Sequence, residues 1–252
     1  MHILLASAKI MRDLSAPGLT ATSPRFADEA RRFALEMSSR SPEQLASDLH
    51  CNPQIALENL LRYQDFFNDS ANRPAILAYH GQAYKCLKAE NFSAEDLGFA
   101  QQHLTILSFL YGMLRPLDLI HAYRMEAKIT TEAAGGKNMF AFWKPRLTDL
   151  LLQTVHADDG ILLHLATAEY QNLFDWRRIN CETMLIQPHF LVRQPDGTLK
   201  NVTVYAKSCR GAMTRFIIQN RLTSPSGLAA FSYEGFAYDS RLGDDRHPHF
   251  VK

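Results

Sequence analysis

Apolar positions recur along this chain at two spacings, which divide it into strands and helices. Ile3 to Ala6 is a short apolar run that reads as a buried strand, with Ser7 and Lys9 where it ends. Loop chemistry follows through Pro17 and Gly18. Ser23-Pro24 opens a helix on which Phe26, Ala30, Phe33, Ala34 and Met37 recur at helical spacing. Ser41-Pro42-Glu43-Gln44 is a second start with capping-box spacing, and a third helix runs from Pro53 toward Phe67. Ala75 to Tyr79, closing on Gly81, fits a strand entering a turn. Ser93-Ala94-Glu95-Asp96 begins another helix, carried by Leu97, Ala100, Leu104 and Leu107, and Leu110 and Leu114 extend its pattern to Pro116. Ile161 to Ala166 reads as a central strand. Thr183–Val192 and Leu199–Tyr205 flank Pro195-Asp196-Gly197 as a hairpin. Ser208 then serves as the N-cap of a helix starting near Cys209. On that helix Cys209, Ala212, Met213, Phe216 and Asn220 share one face, with Arg210, Thr214 and Arg221 opposite and Arg215 at the border.

Helices mixed with strands to the end, without repeats, low-complexity segments or long linkers, predict one mixed α/β domain over residues 1–252 with a central mixed sheet and surrounding helices. Gly135-Gly136 is the one hinge candidate and reads better as a loop.

Composition narrows the function less than the pattern narrows the fold. The 252 residues are 46% hydrophobic and 21% charged, an ordinary globular balance. A net charge of +1, from 27 basic and 26 acidic residues, gives no chain-wide attraction to polyanions, so any such binding needs a local patch. Cys51, Cys86, Cys181 and Cys209 form no CxxC pair and read as reduced thiols. The opening apolar run is too short for a signal-peptide core, and no run approaches the roughly 20 residues that span a bilayer. The expected location is the cytosol.

The richest candidate chemistry is Tyr205-Ala-Lys207-Ser-Cys-Arg210-Gly211-Ala-Met213-Thr-Arg215-Phe216. If a helix starts at Ser208, Lys207 and Arg210 flank a first turn that already carries roughly half a positive charge. A bound phosphate or carboxylate would resolve that conflict, with Gly211 admitting close backbone approach; a solvated basic face is the plainer alternative. Leu107 to Asp118 loosely resembles a helix-hairpin-helix that contacts phosphates, with Leu114 where a second glycine is usual; a helix end before a Pro turn is the alternative. Arg115, Arg124 and Lys137 lie nearby in sequence, with Tyr111 and Tyr123 available to stack or hydrogen-bond. Lys9, just past the first strand, suits the ligand-binding edge of an α/β sheet, against the reading as a surface lysine. Glu169 follows the Ile161 strand and is either a general base or an arginine's partner. His247-Pro-His249 near Asp239, Asp244 and Asp245 has donors for iron or zinc but no coordination spacing, so no metal is assigned. No GxSxG, P-loop, HExxH or GxGxxG motif occurs, leaving an enzyme class and a cofactor unassigned.

Taken together, the blocks resemble the YaaA family of bacterial peroxide-stress resistance proteins over nearly the whole chain. The likeness rests on Ala8-Lys9, Phe99 to His103-Leu104, Leu107-Ser108 through Tyr111-Gly112 to Arg115-Pro116-Leu117-Asp118, and Tyr123-Arg124 with Glu126. It continues through Gly136-Lys137, Phe142-Trp143, Leu165-Ala166 with Glu169-Tyr170, Lys207 with Arg210-Gly211, Arg215-Phe216 and Glu234-Gly235-Phe236. The resemblance implies a cytosolic protein with a fold peculiar to that family, a helix-hairpin-helix, and a basic cleft that binds double-stranded DNA. It also implies a role in limiting iron-driven oxidative damage. The implied cleft residues are Lys9, Arg115, Arg124, Lys137, Lys207, Arg210 and Arg215. The chain departs from the pattern at Ala6 and Ile10, where hydroxyls are expected, at Gln82 for Asp, His164 for Asn and Asn172 for Lys. The leading expectation is therefore a sequence-nonspecific DNA-binding stress protein. An enzyme acting on a small phosphorylated or nucleotide-like ligand, with Lys9 and Arg210 on the anion and Glu169 moving the proton, is the alternative. Direct iron sequestration by the His247–His249 tail is a third.

Overall fold

The computed structural model describes residues 1–13 and 20–252, so the loop expected at Pro17 and Gly18 lies outside the described residues. In chain order the first half runs β1 (His2–Ala6), α1 (Ala27–Ser38), α2 (Pro42–Asp48), α3 (Pro53–Gln64), β2 (Arg73–Pro74), α4 (Ala75–Ala78), α5 (Gln82–Leu87), α6 (Ala94–His103), β3 (Leu104–Ser108) and β4 (Gly112–Leu114). It continues with β5 (Leu119–Ile120), β6 (Thr130–Thr131), β7 (Lys137–Asn138), α7 (Met139–Asp158), β8 (Ile161–His164), α8 (Trp176–Glu182), β9 (Met184–Ile186) and β10 (His189–Arg193). The last elements are β11 (Leu199–Lys200), α9 (Thr203–Asn220), β12 (Ser232–Tyr233), β13 (Phe236–Gly243) and β14 (Pro248–Val251).

The architecture is mixed α/β, as the pattern predicts. One sheet has the order β4-β3-β1-β8-β9, and β1 is parallel to both β3 and β8. All five residues of β1 are buried, which explains why this central strand reads as an unbroken apolar run. A second sheet, β11-β10-β14-β13-β12, gathers the C-terminal third. Helix α9 packs against α5 and also touches β10 and α6. In the first sheet the chain moves from β1 to β3 on one flank and returns to β8 on the other, so the exits of β1 and β8 form a topological switch point, the place where α/β sheets open a crevice for ligands.

Several local expectations hold. Ser41 closes a capping box with Gln44, a helix begins at Ser93, which also closes a capping box with Asp96, and Ala30, Phe33, Ala34 and Met37 form the buried face of α1. Others are corrected. Ala75–Ala78 is a short helix rather than a strand. Leu104 and Leu107 belong to β3, because α6 ends at His103 and the run Leu-Thr-Ile-Leu satisfies both periods. The segment expected to be helix-hairpin-helix-like is a β-hairpin: Ile106, Leu107 and Ser108 pair with Leu114, Met113 and Gly112. Gly112 has φ +69°, and a Cβ there would lie 2.9 Å from the Trp143 ring. Two helices joined by a short hairpin do occur at α2 and α3, where His50 takes a left-handed conformation at φ +46°.

The largest correction concerns α9. The helix begins at Thr203 with Val202 as N-cap, so Val202–Tyr205 is not a strand and Ser208 is not a cap. The Ser208 hydroxyl instead donates to the Val204 carbonyl inside the helix and accepts from Gln82 Nε2 at 2.8 Å. Lys207 and Arg210 therefore sit one and two turns inside the helix, beyond the reach of its N-terminal dipole. Thr214, expected on the polar side, is fully buried, because α9 is covered on more than one face.

Candidate functional site

A pocket of about 270 Å³ opens at the switch point. One wall is the exit of β1, Ser7 to Ile10; another is the exit of β8, with Leu165, Thr167 and Glu169; the start of α5 at Gly81–Tyr84 and α9 with Lys207 and Arg210 complete it. Two close approaches shape these walls. A Cβ on Gly81 would lie 2.7 Å from Ala8 Cβ, so the β1 exit and the start of α5 touch. A Cβ on Gly211 would lie 1.8 Å from the Ala83 carbonyl oxygen, so α9 presses its backbone directly on α5.

The charges divide into paired and unpaired. Lys9 Nζ donates to both Glu126 oxygens at 2.7 and 2.8 Å, and lies 3.8 Å from Glu169 Oε1. Arg124 holds the same Glu126 carboxylate at 3.1 Å. Glu126 is thus shared between two cations, while half-exposed Lys9 looks toward the pocket. Lys207 is exposed and Arg210 half-buried, and neither makes an ion pair with a described carboxylate. Burial pulls the Arg210 guanidinium below its ordinary pKa. His164, behind it and stacked on Trp176 at 4.6 Å, is held neutral: burial, then the Arg210 charge, lowers it to about 4. Ser7 Oγ bonds Tyr170 OH at 2.7 Å, and Thr167 Oγ1 is buried without a hydrogen-bond partner among the described residues.

Of the seven cations the resemblance implies, three line this pocket: Lys9, Lys207 and Arg210. Arg124 reaches it indirectly through Glu126. Arg115 lines a different cavity with Arg25 and Gln101 and is held by buried Asp118 at 2.9 Å. Arg215 donates to the Leu87 and Lys88 carbonyls at 3.3 and 3.1 Å, closing the end of α5. Lys137 is exposed on the β6–β7 ribbon and lines no part of this pocket. Glu169 does reach Lys9, as the carboxylate reading expects. Sequence reasoning passed over Glu126, Ser7 and Thr167; the block Tyr123-Arg124 with Glu126 held the one available signal.

Of the departures from the family pattern, Ala6, Ile10 and Gln82 line this pocket. Ile10 is 61% exposed at the pocket and Gln82 bonds Ser208. Asn172 is exposed. At the far end, His247 Nδ1 pairs with Asp244 at 3.0 Å, His249 packs on His189, and Asp239 is held by Arg241. Among the described residues no group of three or more His, Cys, Asp or Glu is placed to hold a metal. No helix among them is long and apolar enough to cross a membrane.

Fold and site together define a mixed α/β protein with a cation-lined pocket at a sheet switch point. The family model described as "Peroxide stress protein YaaA" matches residues 1–242, and the chain belongs to that family. Among its relatives is a UPF0246 protein of Phocaeicola vulgatus, 46% identical over 249 residues, 98% of this chain and 97% of the relative. Another, from Bacteroides thetaiotaomicron, is 43% identical over 253 residues, 100% of this chain and 98% of the relative. A third, from Porphyromonas gingivalis, is 41% identical over 255 residues.

Proposed function

We propose that the protein acts in the cytosol during peroxide stress by binding double-stranded DNA, without sequence preference, and so limits iron-driven damage to it. The observation that carries this reading is that Lys207 and Arg210 share one pocket with Lys9 and have no carboxylate partner among the described residues. Unpaired cations at a concave edge attract phosphate, and phosphate contacts confer affinity without base readout. The footprint is smaller than the seven residues the resemblance implies, since Arg115 and Arg215 are engaged elsewhere. Fluorescence anisotropy of a labelled duplex across a salt series tests the reading. Affinity falls steeply with salt, and Lys207→Ala and Arg210→Ala each reduce the log–log slope by about one. A double variant with the wild-type affinity and slope defeats it.

A second reading is an enzyme acting on a small phosphorylated or nucleotide-like ligand in the same pocket. Its support is the concave volume of about 270 Å³ and a carboxylate, Glu169, 3.8 Å from Lys9, a pair suited to proton transfer. A nucleotide that raises the Tm at micromolar concentration while duplex DNA leaves it unchanged favours this reading.

A further inference from the structure

We propose that the switch-point pocket is selective for a terminal phosphate monoester, the dianionic end of a DNA strand or of a free nucleotide, over the internal diesters of a continuous duplex. The inference rests on the reading of this pocket as a phosphate site and names the kind of phosphate it takes.

Charge is the first argument. Glu126 is already satisfied by Lys9 and Arg124, and Lys9 also has Glu169 nearby. Two positive charges, on Lys207 and Arg210, are left without an acidic partner among the described residues. A monoester carries close to two negative charges at neutral pH, whereas an internal diester carries one. The dianion matches the excess, and charge-assisted bonds to a half-buried guanidinium are the stronger kind.

Shape is the second. An internal phosphate continues into a sugar on both sides and needs a groove open at two ends. Here the β1 exit touches the start of α5 at Ala8 and Gly81, and α9 presses on α5 at Gly211 and Ala83, so a strand finds no passage at either of those two junctions. Thr167 Oγ1, on the pocket wall and without a hydrogen-bond partner among the described residues, adds a hydroxyl to the site.

The test compares one short blunt duplex with phosphorylated or hydroxyl ends, 5′ and 3′ in separate arms, a covalently closed duplex circle, and a nucleoside 5′- or 3′-monophosphate against its nucleoside, all by calorimetry on the full chain. A phosphorylated end is expected to bind about tenfold tighter than the hydroxyl end or the circle, and the monophosphate to bind where the nucleoside does not. Lys207→Gln, at an exposed position, abolishes the preference while the Tm is unchanged; Arg210→Lys weakens it in parallel. If all duplexes bind equally and the monophosphate gives no heat, the inference is overturned and the DNA-binding proposal stands. If the monophosphate binds and no duplex does, the terminal-phosphate inference stands, its source is a free nucleotide, and the DNA-binding proposal falls.

Discussion

Replacing Gly211 with alanine probes the contact on which the pocket depends. The added Cβ would meet the Ala83 carbonyl oxygen at 1.8 Å and its carbonyl carbon at 2.6 Å, against a limit of 3.0 Å that real Cβ atoms respect. To clear the oxygen alone, α5 has to retreat by about 1.2 Å, the difference between those two distances. The obstacle is backbone, so no rotamer change relieves it. Over-packing of this kind costs about 1–3 kcal/mol. For a chain of this size each 1 kcal/mol moves Tm by about 2–4 °C, so a drop of roughly 2–12 °C is expected in a thermal melt. The same displacement moves Gln82 and Ala83, which line the pocket, so anion affinity falls with stability. Gly98→Ala is the matched control: it lies in α6 with nothing within 4 Å of an added Cβ, and it should gain about 0.5–1 kcal/mol from helix propensity. A Gly211→Ala protein that melts with the wild type and binds anions equally would show that the α5–α9 contact does not shape the site.

Three further outcomes follow from the same geometry. Glu126→Gln removes the carboxylate that Lys9 and Arg124 share, which should cost about 1–3 kcal/mol in urea unfolding while tightening phosphate binding, because two cations lose their internal partner; weaker binding would contradict the role assigned to it. His164 is held neutral in the fold with its pKa lowered from 6.5 to about 4, so the unfolded chain binds the extra proton and His164's contribution to stability is full above pH 6.5 and lost as pH falls toward 4. At about 1.4 kcal/mol per pKa unit the loss is roughly 3 kcal/mol at most, and His164→Asn should flatten that part of the urea-midpoint profile between pH 6.5 and 4; an unchanged profile would refute the assignment. Arg215→Ala should lower stability by about 1 kcal/mol through the α5 carbonyls it caps and leave the salt slope of DNA binding unaltered; a reduced slope would return Arg215 to the site.

Local signals fared well where one interaction decides the structure. The capping box at Ser41, the helix start at Ser93 and the buried run of β1 are written in contiguous residues, and they appear where the pattern puts them. Ambiguity entered where both periods fit the same letters. Leu104–Ser108 reads as the continuation of α6 but forms β3, because pairing beside β1 buries all five residues. Val202–Tyr205 reads as strand but opens α9, because the contact of Gly211 with α5 sets where that helix lies.

The sequence by itself determined the mixed α/β class, the family, and the residue types able to hold an anion, since those depend on side-chain chemistry and short-range spacing. Which cations share a pocket was decided by tertiary structure alone. Lys9, Lys207 and Arg210 meet because β1 exits beside α5 and α9 packs across it, whereas Arg115 and Arg215, from equally matched blocks, are drawn to Asp118 and to the end of α5. An ion pair forms with whatever partner the fold brings within a few ångströms, and that distance is a property of the folded chain rather than of the order of its residues.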